Sequence, residues 1–318
     1  METRLIVSSS PHIRSDETIS RIMRDVVIAL LPATFAGIYY FGLAALKVIF
    51  FTVVTAVVTE AVIQKIRKQE VTINDWSAVV TGLLLAFNMP STSPWWLAVI
   101  GSVFAIAVVK QLFGGLGHNF MNPALAARAM LLASWPTEMT NWVRPFDAVS
   151  TATPLPIISG AEGITQKLPT LMDLFLGNHG GCIGETSALA LIIGGIYLLY
   201  RRVITPRIPV IYISTVAILM FILGGFDFHF MMYQILAGGL MIGAIFMATD
   251  YASSPVTPKG QVIFALGCGI LTTIIRLYGG YPEGVSYSII LMNVASPLID
   301  KYTSPRVFGE VKKNERNS

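Results

Sequence analysis

The sequence predicts an all-α integral membrane protein of about ten transmembrane helices, arranged as an inverted 5+5 repeat with one long external loop. Three observations predict it: scarce charge, a series of apolar runs near span length, and a one-sided distribution of Lys and Arg. The chain has 318 residues, of which 54% are hydrophobic and 13% charged, with a mean hydropathy of +0.66. A water-soluble domain carries about 25% charged residues. The 22 basic and 18 acidic residues present cannot cover a soluble globule of this length. That excludes a cytosolic enzyme and a disordered chain. The pI near 9.0 comes with a net charge of only +4 and no single basic patch, which excludes a nucleic-acid binder. The solvent expected around the chain is a lipid bilayer.

The elements follow in order. Residues 1–25 are polar and basic with no early apolar run, so they read as a retained cytoplasmic segment and not a signal peptide. A first membrane repeat, 26–136, holds spans near 26–43, 45–63, 77–90, 95–109 and 123–136. An extracytoplasmic loop covers 137–185. A second repeat, 186–299, holds spans near 186–200, 208–225, 230–248, 261–278 and 285–299, and 300–318 is a cytoplasmic tail. The third and fifth spans are short for a hydrocarbon core of about 30 Å. Short, Gly- or Pro-interrupted apolar segments belong to broken helices that line a site.

Basic residues orient the chain. With the N-terminus inside, the inner segments hold Arg4, Arg14, Arg21, Arg24, Lys65, Arg67, Lys68, Lys110, Arg201, Arg202, Arg207, Lys259, Lys301, Arg306, Lys312, Lys313 and Arg316. The outer segments hold only Arg144 and Lys167, whereas Glu138, Asp147, Glu162, Asp173, Glu185, Asp227 and Glu283 make the outside acidic. A missed span would invert every later segment, so this asymmetry supports the span count and puts both termini in the cytoplasm. The segment TGLLLAFNMPSTSP at 81–94 resembles GGLMIGAIFMATDYASSP at 238–255. The two lie five spans apart, so they run in opposite directions, which requires an inverted pseudo-twofold.

Ordinary catalytic constellations are missing. The four His are scattered, Cys182 and Cys268 form no CxxC pair, and no HExxH, GxSxG or Walker motif occurs. Cys268 reads as apolar filler, Asp250 as a turn cap, His229 as a loop residue, and Trp95, Trp96, Trp135, Trp142, Tyr278 and Tyr281 as interface anchors. No carboxylate cluster is expected in mid-membrane. Redox work would require a cofactor, because side chains carry neither hydride nor paired electrons.

Two motifs remain. The outer loop contains Asp147-Ala148-Val149-Ser150-Thr151-Ala152-Thr153-Pro154-Leu155. By composition it is a hydroxyl-rich turn before a proline. Further upstream, Gly114-Gly115-Leu116-Gly117-His118-Asn119-Phe120-Met121-Asn122-Pro123 reads as a glycine turn with Asn122 at a helix N-cap and Pro123 at the first helical position. That account leaves Arg128 unexplained. It lies near the start of its span, where it can snorkel inward or bind an anion near the cytoplasmic face.

The loop motif resembles the Dxx(S/T)GAT site at which a flavin transferase joins FMN to a threonine, with Thr151 where Gly is usual. In that likeness Thr153 is the acceptor, and Asp147, Ser150 and Ala152 complete the motif. The glycine motif is similar to the GGxGxNxxNPAxxxRA hallmark of the D-subunit family of the Rnf complex and of the related B subunit of the Na⁺-translocating NADH:quinone reductase. The resemblance spans the chain. It implies a subunit that is non-catalytic alone, within a complex coupling electron flow between ferredoxin and NAD⁺ to Na⁺ or H⁺ movement. It also implies covalent FMN on Thr153, a non-covalent riboflavin with Asn119, Asn122 and Arg128 in the flavin region, and a fold similar to urea transporters. The implied partners are the flavin-bearing G subunit, the membrane subunits A and E, the iron–sulfur subunits B and C, and a flavin transferase. On the residues alone, an inverted-repeat solute transporter or channel without a redox cofactor stays open beside that reading. It predicts a colourless protein that moves solute unaided.

Overall fold

The computed structural model describes residues 17–146, 151, 153–158, 168–279 and 283–305. Among these it is helical throughout, with no strand. Helix α1, Ile19–Ile66, opens at Thr18, whose hydroxyl accepts the Arg21 amide at 3.3 Å. Straight, its 48 residues would reach about 70 Å. Instead Ser20, near its start, donates to the Asn74 carbonyl beyond its end at 3.0 Å. The chain folds back at Gly42, which stands at φ 63° and ψ −143° inside the helix. Only glycine takes such a conformation without strain. The two arms correspond to the first two expected spans.

Next come α2, Ser77–Phe87; α3, Trp95–Val103, which widens into a π-helix over Phe104–Gln111; and α4, Pro123–Ser134. Three short helices, α5 Pro136–Met139, α6 Pro154–Ile158 and α7 Leu171–Leu176, occupy the expected outer loop. Then follow α8, Ala188–Tyr200; α9, Arg207–Leu223; α10, Phe228–Leu236; and α11, Leu240–Ile242, continued by a π-helix over Gly243–Met247. The chain closes with α12, Pro258–Tyr278, and α13, Val285–Thr303. A helix therefore stands at each segment where a span is expected. By length and composition α1 and α12 can each cross a membrane, and α10 with α11 and its extension forms one pair bent by 64°.

Several helices reach only half-way. Helix α2 has 11 residues and α4 has 12, about 16–18 Å each. An interrupted helix inside an apolar core must find partners for its terminal carbonyls. At the end of α2 the carbonyls of Phe87 and Met89 accept the Gly184 and Ile183 amides at 2.9 and 3.1 Å, and the Cys182 thiol donates to the Asn88 carbonyl at 3.4 Å. Residues 182–184, expected in an external loop, are thus buried against a broken helix, and Cys182 and Ile183 are fully enclosed. These residues are a connecting segment, as expected, but a buried one, because a buried helix end attracts whatever backbone can satisfy it. The two resembling segments meet at this level: Asn88, after α2, donates to the Met247 sulfur at 3.6 Å.

Close approach elsewhere uses small residues. A Cβ on Gly82 of α2 would lie 2.8 Å from Val53 Cα of α1. Hydrogen bonds also sort the connecting segments to two ends. Arg201 and Asp25 pair at 3.0 Å, Thr205 meets Gln261 at 3.4 Å, and the Val256 amide meets Asp300 at 3.2 Å. At the other end Tyr40 donates to the Leu176 carbonyl at 3.1 Å, Thr92 to Asn141 at 2.7 Å, and Tyr233 to Pro169 at 2.8 Å. The first end carries the segments expected inside, the second those expected outside.

Candidate functional site

Two cavities flank α4. The first, toward the basic end, is lined by Met23, Ser77, Val80, Thr81, Leu84, Lys110, Asn119, Asn122, Leu198, Phe246, Thr249 and Asp250. Asn122 caps α4 as expected: its side-chain oxygen accepts the Ala124 and Leu125 amides at 3.0 and 3.3 Å, and Pro123 takes the first helical position. Its amide nitrogen reaches the Met247 carbonyl at 3.3 Å, tying the start of α4 to the end of the α11 π-helix. Asn119 donates to the Met121 carbonyl at 3.1 Å. Asp250 accepts from Ser253 at 2.9 Å, the turn role expected of it.

Lys110 does not lie in an inner loop, where the charge count puts it. The structure buries it, 2% exposed, in the π-helix that extends α3. Its ammonium lies 2.8 Å from Glu60, which is equally buried, and 2.6 Å from the Ser77 hydroxyl. The neighbouring Gln111 donates to the same carboxylate at 2.8 Å. The wider turn of a π-helix is a common device at functional sites, and here Lys110 and Gln111 both address Glu60. Sequence reasoning missed Glu60. The available signal was a lone acid within the second apolar run, the position that most needs a buried partner.

The second cavity is lined by Arg128, Leu132, Met139, Thr140, Trp142, Thr153, Pro156, Glu283, Ser286 and Tyr287. Thr153 sits at the start of α6 and is 5% exposed. The other members of its motif, Asp147, Ser150 and Ala152, lie outside the described residues. Arg128 does not snorkel toward the basic end. Its guanidinium is ion-paired with Glu283 and donates to the Asn88 side chain at 2.7 Å. It shares a wall with Thr153, whereas Asn119 and Asn122 face the first cavity. The single flavin region expected from the glycine motif is therefore divided between two cavities.

Other expectations change as well. Of the acids counted as external, Glu185 is enclosed at 4% exposed and Glu283 is half-buried, its side chain 18% exposed. They lie near Arg128, so two carboxylates and a guanidinium gather beside the end of α2. Arg276 of α12 is enclosed too, held by the carbonyls of Gln234, Ala237 and Glu283. His229 lies in the first turn of α10, exposed, its amide bonded to the Asp227 cap at 2.8 Å. Cys268 is buried in α12. At the outer end Thr170 and Asp173 form a capping box on α7, and the Thr170 hydroxyl holds the Asp173 carboxyl below the ordinary carboxylate range.

Each cavity can be tested for the group the motifs imply. The second pairs apolar and aromatic walls from Leu132, Met139, Trp142 and Tyr287 with the Arg128–Glu283 ion pair and the Thr153 hydroxyl, which suits a flavin ring tethered through that threonine. In the first, Lys110 is the one cation among the described residues of the wall, and Glu60 neutralises it. Those residues do not balance a phosphate, whereas Ser77, Thr81, Asn119, Asn122 and Asp250 offer hydrogen bonds to hydroxyls and ring nitrogens. That donor set fits an uncharged flavin.

A family model described as NQR2, RnfD, RnfE matches residues 6–309. The D subunit of the Na⁺-translocating ferredoxin:NAD⁺ oxidoreductase complex of Acetobacterium woodii is 58% identical over 98% of this chain and 97% of its own length. The D subunit of the proton-translocating ferredoxin:NAD⁺ oxidoreductase complex of Clostridium ljungdahlii is 49% identical over 95% and 96%. The D subunit of the ion-translocating oxidoreductase complex of Halorhodospira halophila is 36% identical over 96% and 95%. With a family match over nearly its whole length and relatives this similar from end to end, the chain belongs to the NQR2, RnfD, RnfE family.

Proposed function

We propose that the chain is the D-type membrane subunit of an ion-translocating ferredoxin:NAD⁺ oxidoreductase complex, and that it holds FMN through Thr153 and riboflavin in the cavity of Asn119 and Asn122. The full-length similarity to subunits of that kind supports the complex. The observation that carries the flavin reading is the shared cavity of Thr153 and Arg128. Flavins supply the electron-carrying ring system that side chains lack.

The chain's own residues perform three tasks in this reading. Thr153 offers the acceptor hydroxyl, and the Arg128–Glu283 ion pair forms the polar side of the cavity beside it. Because Thr153 is buried, a transferase reaches it before residues 153–158 pack against α10. Asn122 fixes the start of α4 and presents its polar edge to the first cavity. Glu60 keeps Lys110 neutralised, so that cavity favours a flavin without phosphate. The end bearing Arg201, Arg202 and Lys259 is assigned to the cytoplasm, with both termini, and the end bearing Thr153 to the outside of a bacterial or archaeal inner membrane. The ten spans and their inverted repeat belong to the same proposal. The G, A, E, B and C subunits of the complex are the partners it requires.

The test is flavin fluorescence of the denatured subunit in a gel. The parent band is expected to fluoresce and the Thr153→Val band to be dark. Fluorescence that persists in Thr153→Val refutes the attachment site. A native complex with no flavin in this subunit would favour the solute-transporter alternative.

A further inference from the structure

Beside the second cavity, whose wall includes Glu283, lies a cluster of possible ligand groups. Ligand atoms of Cys182, Glu185 and Glu283 all fall within 4.8 Å of one another. Glu185 accepts the Cys182 amide on Oε2 at 3.4 Å, while its Oε1 is buried with no hydrogen-bond partner among the described residues. A buried unpaired carboxylate oxygen costs about 1–3 kcal/mol or more, so such an atom points to a missing ligand. Neither nearby cation bonds Glu185: Arg128 is held by Glu283, within the cluster, and by Asn88, and Arg276 by backbone carbonyls and Gln234. Gly239, at the break between α10 and α11, leaves space before the carboxylate. A Cβ there would lie 3.4 Å from Glu185 Oε1 and 3.9 Å from Arg128 Nη1.

Another buried acceptor lies close by. His179 Nδ1 is 3.1 Å from the Gly180 carbonyl, and its Nε2 has no partner among the described residues. A carbonyl only accepts, so Nδ1 carries the proton and Nε2 is the acceptor of a neutral ring. Burial holds the imidazole below its ordinary range. A Cβ on Gly181 would lie 3.1 Å from Glu185 Oε2 and 3.7 Å from His179 Cε1. His179 also lines an open cavity at the outer end, with Arg144, Asp173 and Asn178. Two neighbouring buried acceptors, the outer one beside an open cavity, describe an approach for a positive species.

We propose that Glu185 and Glu283, with Cys182 beside them, form a binding site for a dehydrated monovalent cation of Na⁺ size, entered from the outer end past His179. Arg128 is the resident competitor for Glu283. The proposal rests on the ion-translocating reading above. The guanidinium charges of Arg128 and Arg276 already balance the two carboxylates, so a divalent ion would leave twice the uncompensated charge. A balanced empty site binds a monovalent ion weakly, as a pathway requires. The Cys182 thiol donates to the Asn88 carbonyl, so it serves as a wall and not as a thiolate ligand.

The experiment is equilibrium binding of ²²Na⁺ to the purified, flavin-loaded complex in choline chloride. Glu185→Gln is expected to lower the Na⁺ bound by one per complex, with subunit composition and fluorescence of the Thr153 band unchanged. Glu185→Asp is expected to restore the site at several-fold weaker affinity. Gly181→Ala, whose methyl presses on Glu185 Oε2 without removing a charge, is expected to weaken it several-fold. An unchanged count in Glu185→Gln, or an equal loss in Glu138→Gln, overturns the proposal. If Glu185→Gln fails to assemble, unchanged affinity in Gly181→Ala overturns it. A carboxyl that takes up a proton and never binds Na⁺ overturns it as well. Fluorescence that persisted in Thr153→Val would leave this outcome untouched, so the two readings fail separately.

Discussion

Replacing Lys110 with Met tests how the first cavity is built. The ammonium is 2% exposed and contacts Glu60 at 2.8 Å and Ser77 at 2.6 Å. Removing it leaves a buried carboxylate supported by Gln111 alone. Breaking one side of such a pair costs about 3–5 kcal/mol, and Glu60→Leu should cost a similar amount by stranding the ammonium. The double variant removes both charges at nearly constant volume. Ser77 then keeps its bond to Asp75 at 2.6 Å, while Gln111 loses its acceptor, for roughly 1–2 kcal/mol. The two single changes therefore overshoot the double by several kcal/mol. Reversible unfolding in mixed detergent and dodecyl sulfate micelles, followed by tryptophan fluorescence, measures all four corners of the cycle. Coupling below about 0.5 kcal/mol would refute the buried ion pair, and with it the reason for expecting a phosphate-free flavin beside it.

Asn122→Ala removes two cap bonds and the link to the Met247 carbonyl. It should destabilise by about 1–2 kcal/mol and lower the non-covalent flavin that survives purification, read by acid extraction and chromatography, while the covalent band is unchanged. Thr170→Ala removes the hydroxyl that depresses the Asp173 carboxyl. A depressed carboxylate stabilises the folded state above its unfolded pKa, and that stability is lost as pH falls through the lower folded value. In the variant, protection of residues 168–178 in hydrogen exchange should thus be lost at higher pH than in the parent.

The helices were legible because apolar runs and their interruptions are local properties. The break inside 230–248 is marked by the glycine pair Gly238-Gly239, and the structure bends there. Sorting of the connecting segments to two ends was legible because many bases act together. Lys110, Glu185 and Glu283 each occupy an environment that the charge count misplaces, yet the majority carries the count. What the sequence hid was pairing. Nothing local says that Lys110 meets Glu60 fifty residues away, or that 182–184 caps α2. Those contacts follow from half-length helices whose ends must be satisfied, and a hydropathy profile shows a short helix without showing what closes it. Thr153 was legible only through its motif. Its burial beside Arg128 is a product of tertiary packing.

Arg128 shows why one motif came to serve two cavities. It stands six residues after Asn122 on α4, a rise of about 9 Å, so the two side chains lie at different depths of the same helix. The Arg128 position joins three elements at once: one nitrogen of the guanidinium bonds Asn88 beyond α2, and the other pairs with Glu283 before α13. A lysine keeps the charge, yet a single ammonium on a flexible stem cannot reproduce a planar fork with two fixed directions. In Arg128→Lys the amine will follow Glu283, since the charged partner is the stronger acceptor. The Asn88 oxygen then stays buried without its donor, at a cost of about 1–3 kcal/mol. The variant should retain covalent flavin, because the positive charge beside Thr153 remains, and it should unfold at a lower denaturant midpoint. Restoring an apolar side chain with Asn88→Leu in the same background should recover part of the loss. Stability equal to the parent in Arg128→Lys would mean that charge alone holds these helix ends together, and that the fork geometry contributes nothing.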